Sequence, residues 1–126
     1  MSKLKYAASG ALLLFATSAN ALEVQVDWSS TGKCFDSASP VFKLKGVPKT
    51  AKQLDFRMID LNAPGYPHGG GSVSYKGQPQ ITKGAFTYTG PCPPDGVHNY
   101  RWTVKALDGA GQVIDEGSVI APFPPQ

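Results

Sequence analysis

The chain has 126 residues, and its 12 basic and 9 acidic side chains give a formal net charge of +3. This length suits one domain, and the basic excess is too small to indicate the clustered positive charge of a nucleic-acid-binding protein. The 14 glycines, 11 prolines and 41% hydrophobic residues exclude collagen-like and disordered chains, and they indicate short strands separated by many turns.

The first 21 residues have the pattern of an export signal. Two lysines near the start precede an apolar run over residues 7–16, and Ala19-Asn20-Ala21 is a small-x-small cleavage site. A membrane helix would need about 20 apolar residues, and no segment of the sequence reaches that length. We therefore expect cleavage after Ala21, a mature domain over residues 22–126 in the periplasm or secreted, and no transmembrane segment.

Both cysteines, Cys34 and Cys92, fall in the expected mature domain, and they enclose 57 residues. An even number of cysteines in an oxidising compartment favours a disulfide over two free thiols. A zinc site is less favoured, because the two cysteines and two histidines lack CxxC and HxxxH spacing. We therefore predict a Cys34–Cys92 disulfide, no metal site and no cofactor.

Seven segments of the mature domain carry apolar residues at every second position, which is typical of strands buried on one face. In chain order they cover residues 22–28, 42–45, 54–60, 73–75, 86–88, 98–106 and 113–120. No segment of this domain shows helical spacing of apolar residues over ten residues. The sequence therefore predicts an all-β domain, an antiparallel β-sandwich of two sheets.

Polar side chains lie at the ends of two of these strands, on the face that the alternation assigns to the core. Asp60 shares a face with Phe56, and His98 and Tyr100 share a face with Trp102. A carboxylate is unfavourable on a buried face unless it has partners. Each of these groups alone would be explained as a satisfied polar residue at the sheet rim. Together, beside loops rich in glycine and proline, they favour a pocket.

Two loops beside these strand ends carry distinctive sequences. Residues 58–64 read MIDLNAP and are followed by His68, and residues 88–100 read YTGPCPPDGVHNY. The first resembles the M-x-D-P-D-A-P turn and histidine of the phosphatidylethanolamine-binding protein (PEBP) family. The second resembles that family's Y-x-G-P-x-P-P-x-G-x-H-x-Y run. The resemblance extends over about residues 39–114, and residues 102–108 are similar to the following strand of the bacterial, Raf-kinase-inhibitor-like branch.

The resemblance implies a β-sandwich with a small, rigid surface cavity that holds phosphate-like head groups. The residues that match the family's anion pocket are Asp60, Pro64, His68, Gly90, Pro91, His98 and Tyr100. Imidazole N–H and phenol O–H groups donate to phosphate oxygens in such a pocket, while the rigid backbone keeps its mouth open. Asp60 would orient a histidine and favour its charged form. The expected function is binding of small phosphate-bearing or phospholipid head-group-like anions.

The sequence departs from the family pattern at several positions. Leu61 and Asn62 replace the usual proline and aspartate of the first turn, and residues 69–71 are three glycines where larger members carry an aromatic residue and a strand. The glycines are interpreted as a flexible turn. The sequence ends in a proline-rich segment, so we expect the fold to lack the family's C-terminal helix. These departures affect the choice of ligand more than the fold.

An enzyme is less favoured than a binding protein. His68 and the three glycines are similar to the HGGG oxyanion loop of lipases, but the sequence has no G-x-S-x-G motif. Ser72 and Ser74 lie near His68 without any spacing that fixes a triad, and a disulfide would consume the thiol of Cys92. The sequence also has no Walker loop and no G-x-G-x-x-G after a strand.

The alternative to a ligand-binding protein is a protein-binding regulator, such as an inhibitor of a secreted protease, because family members are associated with inhibition of kinases or proteases. A periplasmic location argues against a kinase partner. Residues 65–74 would dock in a protease cleft, whereas a ligand-binding protein would act through the pocket at His98. The sequence leaves both partners, a small anion and a protein, open.

Overall fold

The computed structural model describes residues 21–126. The expected signal peptide lies outside the described residues except for Ala21. The described chain contains seven strands and one short 3-10 helix, Trp28–Ser30. The strands are β1 (Glu23–Asp27), β2 (Val41–Lys45), β3 (Gln53–Asp60), β4 (Gly70–Ser74), β5 (Gln80–Ile81), β6 (His98–Leu107) and β7 (Val113–Phe123).

The strands form two sheets, with the orders β1-β2-β5 and β4-β3-β6-β7, and every neighbouring pair is antiparallel. The all-β prediction of two antiparallel sheets is therefore confirmed. In the larger sheet the end of β3 meets the start of β6, because Asp60 is paired with Tyr100. This register brings together two strand ends that are far apart in the sequence. Within residues 21–126, no helix is long and apolar enough to span a bilayer.

The core consists of the facing sides of the two sheets. In β3 and β6 alternate residues are buried, as the predicted alternation requires. Trp102 is fully buried near the middle of the core, with ring centroids 4.9 Å from Phe42 and 5.3 Å from Tyr88. Burial of several aromatic rings supplies much of the apolar area that stabilises a domain of this size.

The predicted strand at residues 86–88 does not form. The segment makes one isolated bridge, Ala38 to Thr87, although Phe86 and Tyr88 are buried in the core. Ser39 makes two hydrogen bonds to the backbone of Phe86, each at 3.1 Å. The N–H of Ser39 donates to the carbonyl of Phe86, and Oγ of Ser39 accepts from the N–H of Phe86. The alternation predicted correctly that Phe86 and Tyr88 are buried. A strand does not form, because the neighbouring segment is a loop and does not make a ladder of backbone hydrogen bonds with this one.

The last strand continues three residues beyond the predicted end, to Phe123. It passes through Pro122, which can occupy this position because β7 is an edge strand and its second side needs no ladder hydrogen bond. The two-residue strand β5, Gln80–Ile81, was not predicted, because two residues are too short to show a period.

The interpretation of the three glycines as a flexible turn is wrong, because two of them belong to β4. Gly70 pairs with Arg57 and Gly71 with Phe56. A Cβ at Gly70 would overlap the carbonyl oxygen of Phe56, and a Cβ at Gly71 would lie 2.6 Å from Cβ of Phe86. Glycine is therefore required here by the close approach of neighbouring groups, not by a need for flexibility.

Candidate functional site

An aspartate–histidine pair joins the adjacent ends of β3 and β6. His98 Nδ1 lies 2.7 Å from Asp60 Oδ2, and the two side chains are only 16% and 6% exposed. The second carboxylate oxygen of Asp60 accepts from the backbone N–H of Asn62 at 2.8 Å and of Ala63 at 3.2 Å. Asp60 is thereby fixed by the turn that follows it, and it fixes the orientation of the imidazole.

The departure from the family pattern at Asn62 has a structural role. Asn62 Oδ1 accepts from the backbone N–H of Asn99 at 2.8 Å, and the N–H of Leu61 donates to the carbonyl of Asn99 at 2.8 Å. The loop after β3 is therefore tied to the start of β6. An amide side chain performs this task without adding a second negative charge beside Asp60.

The environment of Asp60 favours its ionised form. Desolvation acts to raise its pKa, but hydrogen bonds from His98 and from the N–H of Asn62 outweigh it, and the pKa of Asp60 lies below its usual range. Asp60 is therefore a carboxylate at neutral pH. The site therefore holds a fixed negative charge 2.7 Å from Nδ1 of His98.

The second histidine, His68, approaches from the loop that precedes β4. It is 4% exposed, and its Nδ1 lies 2.7 Å from the carbonyl oxygen of Thr89. The N–H of Thr89 in turn donates to the carbonyl of His68 at 3.0 Å. A carbonyl can only accept, so Nδ1 of His68 carries a proton and Nε2 remains for a ligand. The ring of His68 stands edge-on to Tyr100, with centroids 5.6 Å apart.

The hydroxyl of Tyr100 is the third polar group at the site. Tyr100 is fully buried, and its hydroxyl makes no well-formed hydrogen bond within residues 21–126. Burial and the negative charge of Asp60 raise its pKa well above the usual range, so the phenol stays protonated. The carboxylate of Asp60 is the nearby acceptor that contributes to this shift, and a ligand oxygen could accept from the same hydroxyl.

These groups line one cavity of about 320 Å³ at the end of the larger sheet. Its walls are formed by Asp60, His68, His98 and Tyr100 together with Phe35, Ala63, Tyr66, Cys92 and Pro94. A larger depression of about 500 Å³ lies along residues 73–85, but its one titratable side chain, Lys76, is exposed. Convergent buried polar groups identify the smaller cavity as the candidate site.

The other three predicted site residues do not line this cavity. Pro64 is exposed in the turn after β3. Gly90 and Pro91 are buried behind the wall, where a Cβ on Gly90 would overlap the backbone of Asp36 and the carbonyl of Pro91 accepts from the N–H of Phe35 at 3.4 Å. They therefore support the wall without facing a ligand.

Sequence reasoning missed two aromatic residues of the lining, Phe35 and Tyr66. The predicted disulfide could have indicated Phe35, which follows Cys34 in the sequence. The Cys34–Cys92 bridge is present, with Cα atoms 4.7 Å apart, so the prediction is confirmed. Because Cys92 belongs to the second loop, a bridge to Cys34 necessarily brings Phe35 to the same loop.

The described residues give no support to a metal centre or a serine triad at this cavity. In the part of the chain that the structure covers, no three His, Cys, Asp or Glu side chains are grouped to hold a metal ion. The hydroxyl of Ser72 donates to Asp55 at 2.8 Å on the outer face of the larger sheet, not to either histidine.

Comparison with solved structures shows which fold the chain has. Solved structures that resemble this chain include the PEBP homologue CT736 from Chlamydia trachomatis, with a TM-score of 0.59 and 18% identity. They also include YbcL from E. coli, described as a member of the mammalian PEBP family, with a TM-score of 0.58 and 19% identity. Each match covers 82% of this chain and 97% or 98% of the other. The chain has the PEBP fold. No protein-family model and no curated protein matches its sequence.

The two loops with distinctive sequences meet at the candidate cavity. Both loops that resemble the family signatures lie at one end of the sandwich, and four of the seven matched residues line the cavity there. The expected PEBP-like β-sandwich is therefore confirmed, including the antiparallel sheets predicted from alternation.

The lowered pKa of Asp60 predicts a pH dependence of stability. A carboxylate whose pKa is lower in the folded chain than in the unfolded chain contributes stability above about pH 4 and loses it as the pH falls through the folded value. We expect Asp60→Asn to remove this contribution at pH 7 and to make the acid limb less steep. Urea unfolding at pH 7, 4 and 3 measures it, with exposed Asp95→Asn as the matched control. Parallel acid limbs for wild type and Asp60→Asn would contradict it.

Proposed function

We propose that the chain is an exported member of the PEBP family that binds small anions, phosphate-bearing or head-group-like, in the cavity at His98. The observation that carries the proposal is the convergence of two nearly buried histidines and a buried tyrosine hydroxyl on one cavity. Among residues 21–126, no lysine or arginine lines this cavity, so within that part of the chain positive charge at the cavity can come from the two imidazoles alone. The expected ligand is an anion small enough to be held by two or three donors.

The hydrogen bonds of the histidines link anion binding to proton uptake. The Nδ1 atom of each ring lies 2.7 Å from a group that only accepts, the carboxylate of Asp60 or the carbonyl of Thr89. An imidazole that carries its proton on Nδ1 can also donate from Nε2 only when it is protonated. Anion affinity is therefore expected to increase as the pH falls from about 8 towards 6, the range in which histidines commonly titrate.

The test is calorimetric titration with phosphate and with phosphoethanolamine at both pH values. We expect His98→Ala to weaken binding roughly tenfold to a hundredfold, because one charge-assisted donor is lost, about 1.5–3 kcal/mol. Tyr100→Phe has a smaller effect, because it removes a neutral hydrogen bond and keeps the ring. Equal affinity for wild type and His98→Ala would place the site elsewhere.

A double variant separates the lost donor from a side effect. His98→Ala alone leaves the carboxylate of Asp60 without its partner, and this charge would repel an anion. Asp60→Asn combined with His98→Ala removes both charges. Weak binding that persists in the double variant identifies the imidazole as the contact, whereas recovery to the wild-type affinity would assign the loss to Asp60.

The alternative, a protein-binding regulator such as a protease inhibitor, has less support. It relied on residues 65–74 as an exposed docking loop. Residues 70–74 are strand β4 and pair with β3, which leaves only residues 65–69 as loop. Binding without turnover remains our proposal, because Ser72 is engaged by Asp55 and Cys92 by Cys34.

Export is proposed on the basis of the N-terminal pattern, and the disulfide agrees with an oxidising compartment. The expected result is that protein recovered from the periplasm or medium begins at Leu22. Intact mass spectrometry of the chain expressed with its own N-terminus measures this, with a variant carrying Ala19→Arg and Ala21→Arg as the uncleaved control. An intact mass that begins at Met1 in the exported fraction would contradict it.

A further inference from the structure

Two aromatic rings stand at the mouth of the cavity. Phe35 is 48% exposed and Tyr66 is 44% exposed, and both line the cavity. Their ring centroids are 6.1 Å apart with an interplanar angle of 24°, so the rings face each other nearly in parallel. Tyr66 also lies 4.8 Å from the ring of His68. Each ring is partly covered by the other, and its exposed part is available to a ligand in the cavity.

The backbone of Phe35 is held in an unfavourable conformation. Its φ of 56° lies in the left-handed region, where a bulky side chain is a clear outlier. The neighbouring Cys34 is fixed by its bridge to Cys92, and the carbonyl of Pro91 accepts from the N–H of Phe35. A strained conformation of this kind persists where the surroundings determine it, and it is concentrated at ligand sites. The consequence here is that the ring of Phe35 is placed over the mouth and does not pack into the core.

The cavity is divided into a polar inner end and an apolar outer end. The donors, from His98, His68 and Tyr100, belong to strand ends and buried loops, whereas Phe35, Tyr66 and Pro94 form the exposed side. A volume of about 320 Å³ lies within the range of cavities that enclose organic ligands. The cavity is therefore large enough to hold an organic group attached to the anion.

We propose that Phe35 and Tyr66 form an aromatic clamp that selects anions attached to a flat aromatic ring, such as aryl phosphates. The anionic end is held by the inner donors, and the ring of the ligand stacks on the exposed part of Phe35 or Tyr66 at the mouth. This inference rests on the proposed anion site and specifies the class of ligand that fits it. Phe35 is thereby a specificity-determining residue whose position depends on the Cys34–Cys92 bridge.

The experiment compares phenyl phosphate with inorganic phosphate and with phosphoethanolamine by calorimetric titration at about pH 6. An aromatic pair contributes about 0.5–1.5 kcal/mol, so we expect phenyl phosphate to bind about twofold to twelvefold more tightly than inorganic phosphate. Phe35→Leu keeps apolar bulk without the ring and removes most of this preference, and Tyr66→Leu reduces it. Ile120→Ala, at an exposed apolar residue of β7 outside the cavity, is the control and keeps the preference.

A second variant guards against loss through misfolding. Phe35→Gly relieves the left-handed backbone, so it is expected to retain the wild-type melting temperature while it abolishes the preference for phenyl phosphate. Loss of the preference at an unchanged melting temperature supports the clamp. An unchanged preference in both Phe35 variants overturns it.

The two levels of proposal fail in different ways. If inorganic phosphate binds and depends on His98 but phenyl phosphate gains nothing, the anion site stands and the clamp is wrong. If phosphoethanolamine alone binds more tightly than inorganic phosphate, the mouth of the cavity recognises an ammonium group, and the clamp for aryl anions is equally wrong. If neither phosphate nor phenyl phosphate depends on His98, the proposed function itself fails.

Discussion

Replacement of both cysteines by alanine is expected to lower the free energy of unfolding by about 4 kcal/mol. Cys34 and Cys92 are separated by 58 positions, and closing a loop of that length restricts the unfolded chain by about this amount in the chain-entropy treatment. That is a large part of the 5–15 kcal/mol that typically stabilises a domain. The bridge connects the segment before β2 with the loop before β6, so its loss also frees one wall of the cavity.

Urea unfolding of the oxidised protein, the reduced protein and the Cys34→Ala, Cys92→Ala double variant measures the effect. The reduced wild type is the matched control, because it loses the bridge but keeps both side chains. We expect both to unfold at lower urea concentration than the oxidised form. A difference of less than about 1 kcal/mol would show that the bridge adds little to a fold already fixed by its sheets.

Gly70→Ala is expected to destabilise the fold by about 2–3 kcal/mol, towards the upper end for overpacking. The added Cβ would overlap the carbonyl oxygen of Phe56, and neither backbone can move without opening the β3–β4 ladder. The preceding residue, Gly69, accepts from the N–H of Met58 through its carbonyl at 3.0 Å. Displacement of β4 therefore also shifts His68, and anion affinity should fall together with stability.

Gly65→Ala is the matched control for this variant. Gly65 lies in the loop between β3 and β4, and nothing is within 4 Å of the position that its Cβ would take. Thermal unfolding and phosphate titration of both variants test the prediction. Comparable melting temperatures for Gly70→Ala and Gly65→Ala would mean that the β3–β4 ladder tolerates a side chain.

Much of the fold could be predicted from local pattern. A period of two is a direct consequence of strand geometry, so the inner faces of β3 and β6, including Asp60 and Tyr100, followed from the sequence alone. The contact between Asp60 and His98 did not, because it requires β3 and β6 to be adjacent, and alternation does not specify which strands pair. The resemblance to the family signatures implied that both residues belong to one pocket, but it left open which histidine contacts Asp60.

The remaining features depend on groups that are distant in the sequence. The role of Gly70 is decided by the Phe56 carbonyl across the ladder, which no local pattern records. Phe35 lies in a short irregular segment without a period, and its place at the cavity is set by the bridge and by the loop around Pro91. The alternation at Phe86 predicts a strand, because burial and strand pairing usually occur together, and here they do not.

The order of strands in the larger sheet has a consequence for how the chain folds. The hairpin of β3 and β4 is local. In contrast, β6 begins 38 positions after the end of β3 at Asp60, and these two strands must also pair. Pairing of distant strands requires closure of a long loop, which makes folding slow compared with that of helical domains. Asp60 and His98 meet only when β3 and β6 have paired in register. Binding of an anion at the cavity would therefore report, in a refolding experiment, the moment at which the two halves of the sheet have joined.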